Sequence, residues 1–205
     1  MSNGKSAALE FTKQQWMQML RVTLILLAVA AAVALMLSAV NEVTAPRIQE
    51  QKEQAVITAM QQVLPAEEYA AIENLSQLGL DAAITQVYQA KAGGADAGYC
   101  VEVTSSGYGG DIEMVVGVDM EDKVTNVNIV SMSETPGLGS KAQDAAFLDQ
   151  FQGKMDGLTV KTNGGAGENQ VDAVTGATVS SKAVTSGVQA ALKAVQQIKG
   201  AASNG

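Results

Sequence analysis

At 205 residues the chain has room for one anchor and one compact domain, and 21 Asp and Glu against 13 Lys and Arg leave it at −8. It holds no histidine and a single cysteine, which excludes Ser-His-Asp and Cys-His catalysis, His-ligated zinc or haem, internal disulfides and cysteine-held iron–sulfur clusters. No pair of acidic residues has a metal-ligand spacing and no basic stripe suits nucleic acid, so any electron transfer here needs a cofactor.

Residues 1–21 form a short arm in which Lys5, Lys13 and Arg21 outnumber Glu10. Val22 to Val40 then reads VTLILLAVAAAVALMLSAV, uncharged and interrupted only by Thr23 and Ser38. As a helix this run rises about 28 Å, close to the roughly 30 Å hydrocarbon core of a bilayer. A cleaved secretory signal competes with that reading, but its apolar core would be unusually long and Pro46 disfavours cleavage after Ala45. A retained transmembrane helix over 22–40 is expected, with the N-terminus cytoplasmic and the acidic remainder outside. Residues 41–65 are expected to form a juxtamembrane helix. Ile48, Ala55, Val56, Ala59, Met60, Val63 and Leu64 recur there at helical spacing, Thr44 and Pro46 suit its start, and Pro65 suits its end. Such a stripe either docks partner subunits or packs on its own domain, and packing is the ordinary use.

A domain over 66–200 follows, with 201–205 as a frayed tail. Residues 66–98 give short mixed signals and stay largely unassigned. Tyr99 to Thr104, Ile112 to Val118 and Val124 to Val130 alternate as strands, which predicts an antiparallel meander. Cys100, inside the first of them, reads as a small buried apolar residue rather than a reactive thiol. Ala142 to Phe151 looks helical, Leu158 to Lys161 suits one more strand, and a Gly-rich loop covers Asn163 to Gly167. The last helix spans roughly Ser180 to Ile198, with Val184, Val188, Ala191, Leu192, Val195 and Ile198 on one side. A central antiparallel sheet flanked by helices makes the domain α+β.

Three segments stand out. In Asp172-Ala173-Val174-Thr175-Gly176-Ala177-Thr178, Gly176 permits a tight turn and Thr178 stands where a hydroxyl commonly caps a helix. That helix start also favours a phosphate, to which Ser180 and Ser181 add hydroxyl donors and Lys182 a positive charge. Gly107-Tyr108-Gly109-Gly110 is either an ordinary inter-strand loop or a place where backbone approaches a flat ring with Tyr108 beside it. Glu134-Thr135-Pro136-Gly137-Leu138-Gly139 is either a Pro-Gly turn or a rigid loop offering backbone donors, with Glu134 or Thr135 adding a hydrogen bond. Lys141 beyond it reads as a solvated charge.

Together, in their order along the chain and behind an N-terminal anchor, the three segments resemble the FMN-binding domain of membrane redox pumps. The resemblance is above all to the G subunit of the Rnf complex, with the C subunit of the sodium-pumping NADH:quinone reductase as a near relative. In those families FMN is esterified through its phosphate to the last Thr of a [Ser/Thr]-Gly-Ala-[Ser/Thr] motif. The resemblance thus implies covalent FMN on Thr178, with Thr175 unmodified and Gly176 and Ala177 forming the turn. A flavin transferase using FAD and magnesium would install it.

It further implies an electron carrier within a pump coupling ferredoxin:NAD electron transfer to sodium-ion or proton translocation, with no complete activity alone. Partners would be Rnf subunits A, B, C, D and E, especially the FMN-bearing D subunit, together with membrane lipid. The quinone-reducing pump's C subunit is one alternative, and a non-redox membrane-anchored scaffold or sensor is another. Ion coupling cannot be assigned to the span, because Val22 to Val40 carries no ionisable side chain.

Overall fold

The computed structural model describes residues 13–203 except 74 and 163. Residues 1–12 of the expected arm, 204–205 of the expected tail and Asn163 of the expected Gly-rich loop lie outside the described residues. The chain divides into two units, Met1–Gln51 and Lys52–Gly205.

The first unit holds most of α1, which runs from Lys13 to Val63 as one 51-residue helix. It is the one described helix long and apolar enough to cross a membrane, as a membrane anchor requires. Inside the apolar run the Thr23 hydroxyl donates to the Met19 carbonyl at 2.9 Å, so the polar group is satisfied without a partner outside the helix. The separate helix expected from residue 41, with a start at Thr44 and Pro46, is absent: the helix continues through Pro46. Proline removes one backbone bond, that to the Glu42 carbonyl, and crowds the preceding turn, yet the helix continues on both sides of it; two residues earlier the Thr44 hydroxyl is satisfied on the Val40 carbonyl at 2.8 Å.

In the second unit a five-stranded antiparallel sheet is ordered β1-β2-β3-β4-β5. The strands are β1 Glu68–Ala71, β2 Ile84–Ala92, β3 Ala95–Ser106, β4 Asp111–Asp119 and β5 Val124–Met132. The meander expected from the last three is present, and β1 and β2 add two strands from the stretch that sequence patterning leaves unassigned. Successive side chains point to opposite faces, and both faces of β3 are covered. Val101 and Val103 join a core with Ile112, Met114, Val116 and the apolar side of α3, which spans Thr178–Ser203. Cys100 lies on the other face with Ala90 and Val115, under Ala59, Met60 and Val63 of α1.

The helix expected over Ala142–Phe151 is broken. A 3-10 turn Gly139–Gln143 leads to the short α2, Ala145–Leu148, and a second 3-10 turn Asp149–Phe151. Asp144 between the first two is extended (φ −69°, ψ 141°), which interrupts the helical ladder. Phe147 and Phe151 are buried and meet edge to face at 5.4 Å. The expected strand near Leu158 is β6, Thr159–Lys161, and it pairs in parallel with an unforeseen β7, Gln170–Asp172. At the far end of α3, Lys199 donates to Asp122 at 2.5 Å and to the Met120 carbonyl at 2.8 Å, fastening that helix to the β4–β5 turn.

Candidate functional site

The three singled-out segments meet at one end of the central strands. Because β3, β4 and β5 are antiparallel neighbours, the pairs Ser106↔Asp111 and Ile112↔Met132 bring the β3–β4 loop beside the chain leaving β5. The Glu134 carboxylate fills the space between them. Its Oε1 accepts the Tyr108 N–H at 2.7 Å, and any Cβ on Gly107 would overlap that oxygen. A Cβ on Gly139 would overlap Oε2 and stand 2.9 Å from Ser180 Oγ in the first turn of α3. Gly109 and Gly110 lie against Ser133. The glycines therefore admit the chain's own Ser133 and Glu134, where a flat ring was expected to approach the backbone. Leu138 completes the junction, its Cδ2 reaching to 3.3 Å from where a Gly176 Cβ would lie. The Thr135 to Gly139 loop is held by Ser140, whose Oγ accepts the Gly137 N–H at 2.9 Å, while the Thr135 carbonyl accepts the Leu138 N–H at 3.2 Å. Pro136 and Thr135 are exposed on its outer side.

The turn into α3 is built by Ser181 rather than by Thr178. Gly176 takes a φ of +80°, a conformation that other residues adopt at a cost, and this lets the Val174 carbonyl accept the Ala177 N–H at 2.9 Å. Ser181 Oγ accepts the Val174 N–H at 3.0 Å and donates to the Ala177 carbonyl at 2.9 Å. Both Ser180 and Ser181 are buried, so the hydroxyl expected to donate from Ser181 to a phosphate is engaged within the chain. The helical ladder opens with Ser181 N–H on the Ala177 carbonyl at 2.9 Å. That leaves the N–H groups of Thr178, Val179 and Ser180 ahead of the ladder. Thr178 is half-buried, and its hydroxyl makes no hydrogen bond among the described residues. Thr175 and Gly176 are exposed.

Lys182 lies one turn further along, exposed, and lines a cleft of about 260 Å³ with Asp81, Val160, Gln189 and Lys193. Asp172 is pinned from behind: its N–H donates to Gln150 Oε1 at 2.7 Å, and its Oδ2 accepts the Gly165 N–H at 3.1 Å. Patterning did not single out Ser133, Ser140 or Gln150. Each acts through a backbone or loop contact that leaves no periodic trace.

An FMN group fits this arrangement on three counts. The start of the 26-residue α3 carries no acidic side chain in its first turn, so the N–H groups ahead of its ladder and its dipole favour a phosphate there. Val179 in the first turn of α3, Leu138 beside Gly176 and Tyr108 on the β3–β4 loop are 51%, 49% and 76% exposed, offering apolar surface to a ring. Glu134 Oε2 is buried without a hydrogen-bond donor among the described residues, which suits a ligand that brings one. Among the described residues no group of His, Cys, Asp or Glu could hold a metal ion.

Comparison with known proteins agrees with this geometry. The family model for the FMN-binding domain matches residues 107–193, a span that opens on Gly107 and contains all three loops. The model for the RnfG N-terminal region matches 13–63, the same residues as α1. The chain is 34% identical over 196 residues to the G subunit of the Na(+)-translocating ferredoxin:NAD(+) oxidoreductase complex of Acetobacterium woodii, covering 89% of this chain and 94% of that one. The chain belongs to the family of Rnf G subunits. FMN is the cofactor of its domain.

Other G subunits agree. That of the proton-translocating ferredoxin:NAD(+) oxidoreductase complex of Clostridium ljungdahlii is 44% identical over 114 residues, 55% of this chain and 61% of that one. That of the ion-translocating oxidoreductase complex of Aliivibrio fischeri is 30% identical over 191 residues, 85% and 89% of the two chains. Among solved structures, the C subunit of the Na(+)-translocating NADH-quinone reductase from Parabacteroides distasonis matches with a TM-score of 0.54 at 17% identity, covering 73% of this chain and 94% of that one. That likeness establishes the shared fold, and the quinone reductase protein stands as a related family rather than as this one.

Proposed function

We propose that this chain is the covalent-FMN electron carrier of an ion-translocating ferredoxin:NAD oxidoreductase, with the phosphate of FMN esterified to Thr178. One observation carries the reading. Thr178 presents a half-buried, uncommitted hydroxyl at the head of α3, while the neighbouring Ser181 hydroxyl is engaged in the turn. Thr175, Gly176 and Ala177 form that turn, and Lys182 adds positive charge one turn away. The N–H groups at the start of α3 orient the phosphate, and the ester retains it, since charge–dipole contacts at an exposed helix end contribute only about 0.3–1 kcal/mol each.

Gly107, Gly109 and Gly110 set Tyr108 on the rim, and Pro136, Gly137 and Gly139 set Leu138 there, so both side chains flank the ring. FMN supplies one- and two-electron chemistry when bound, and the protein supplies placement. The 22–40 segment spans the membrane with the N-terminus cytoplasmic, and the domain over 66–200 faces outward. Electrons pass between this FMN and other subunits of the complex, the FMN-bearing D subunit foremost. A flavin transferase drawing on FAD and magnesium loads the chain.

The test is intact mass and in-gel flavin fluorescence after co-expression with a flavin transferase. Wild type and Thr178→Ser should carry an added mass of FMN less water and fluoresce under denaturing conditions, whereas Thr178→Ala should do neither. A dark, unmodified wild type beside a labelled control protein would sink the carrier reading. A fluorescent Thr178→Ala protein would move the attachment to another residue.

A further inference from the structure

We propose that Glu134 is a positioning residue, a carboxylate latch that ties the β3–β4 loop to the post-β5 loop beside the first turn of α3. It thereby sets where Tyr108 and Leu138 stand relative to Thr178. The inference rests on the FMN reading only for its effect on the ring.

Both oxygens take part. Oε1 holds the Tyr108 N–H at 2.7 Å across a sequence separation of 26 residues, and it occupies the only side of Gly107 where a side chain would stand. Oε2 is wedged beside Gly139, whose own missing Cβ would lie 2.9 Å from Ser180 Oγ, and it is buried without a donor among the described residues. A carboxylate held in such a place is fixed by shape against glycines of two loops and by one charge-assisted hydrogen bond from the first of them, the β3–β4 loop. Tyr108 is tied only through its N–H, and its side chain stays 76% exposed. The latch therefore aims a side chain that it does not itself touch.

The shape argument yields a specific double-mutant signature. A methyl at residue 139 overlaps Glu134 Oε2, so Gly139→Ala forces the carboxylate out. Removing the carboxylate first clears the two nearest obstacles to the methyl, and the next, the Ser180 hydroxyl, can rotate. In flavin-free full-length protein carrying Thr178→Ala, Gly139→Ala and Glu134→Ala should each lower the melting temperature by several degrees. Their combination should lower it by clearly less than the sum. Additive losses would overturn the latch.

In flavin-loaded protein, Glu134→Ala should keep the full covalent mass yet shift the flavin's midpoint potential and its emission, because Tyr108 and Leu138 no longer hold their places. Glu134→Gln retains a carbonyl oxygen for the Tyr108 N–H and should restore both values. Potential and emission unchanged in fully loaded Glu134→Ala would overturn the positioning role even if the stability cycle couples. A wild type that carries no flavin mass would instead defeat the functional reading and the positioning role with it, while the stability cycle would still judge the latch.

Discussion

Replacing Ser181 with Ala probes the turn that presents Thr178. The hydroxyl is fully buried and makes two hydrogen bonds, accepting from Val174 N–H at 3.0 Å and donating to the Ala177 carbonyl at 2.9 Å. Each contributes about 0.5–1.5 kcal/mol net, so their joint loss costs about 2 kcal/mol. Alanine returns part of that through its better helix propensity, about 0.5 kcal/mol. The expected net loss is about 1.5 kcal/mol, or about 3–6 °C in melting temperature for a domain of this size. Urea unfolding of the detergent-solubilised full chain, followed by tyrosine emission, reads the change in the domain, since Tyr69, Tyr88, Tyr99 and Tyr108 all lie in it while α1 dominates circular dichroism. The same variant should load FMN more slowly at equal transferase concentration, because the turn no longer holds Thr178 at the helix head. A stability loss under about 0.5 kcal/mol, less than one ordinary hydrogen bond, would refute the assignment of the turn to Ser181.

Other sites give independent checks. Burial is the main cause that raises the Glu102 carboxyl above its ordinary 4.5, and Glu113 adds to it while a hydrogen bond from Tyr88 opposes. The folded state thus binds the proton more tightly than the unfolded one, and stability falls as pH rises from 4.5 through the raised value. Glu102→Gln should therefore stabilise the protein at neutral pH, with the difference vanishing below 4.5 in pH-dependent urea melts. Burial likewise pushes the Cys100 thiol up to about 12, so a thiol reagent at mildly alkaline pH should label it only after unfolding; rapid native labelling would contradict its place in the core. Lys199→Ala removes charged hydrogen bonds to Asp122 and Met120 and should cost about 1–2 kcal/mol without altering FMN loading, because that turn lies at the opposite end of α3 from Thr178.

What was legible in the chain follows the physics of periodicity. Tyr99–Thr104, Ile112–Val118 and Val124–Val130 alternate because each strand must bury side chains in register with its neighbour, and the same logic exposes the 3.6-residue stripe of α3. The three residues of β6 were legible within the expected strand Leu158–Lys161, whereas β7, also three residues, is too short to carry a period and only its pairing across a loop defines it. Thr178, Ser180 and Ser181 look interchangeable as caps in one dimension. The +80° φ at Gly176 decides among them by turning the Val174 N–H toward Ser181. Glu134 was legible as a hydrogen-bonding candidate toward the cofactor, but not as a partner of the chain's own Tyr108 N–H. Its role as a junction depends on small neighbours at 107 and 139 that come together through the antiparallel order of β3, β4 and β5.

The passage of α1 into the domain has a practical consequence for anyone cutting the chain. Ala59, Met60 and Val63 belong to that helix, yet they roof Ala90, Cys100 and Val115 on one face of the sheet, and Thr125 Oγ1 donates to the Val63 carbonyl at 2.5 Å. A soluble fragment trimmed at residue 66, where the domain was expected to begin, strips this roof and leaves an apolar sheet face open to self-association. A fragment that starts ahead of Lys52 keeps its own cover, together with the ion pair between Lys52 and Glu113 at 2.8 Å. The last turns of the anchor helix are thus part of the folding unit, and the place to separate membrane from domain lies within a continuous helix rather than at a loop.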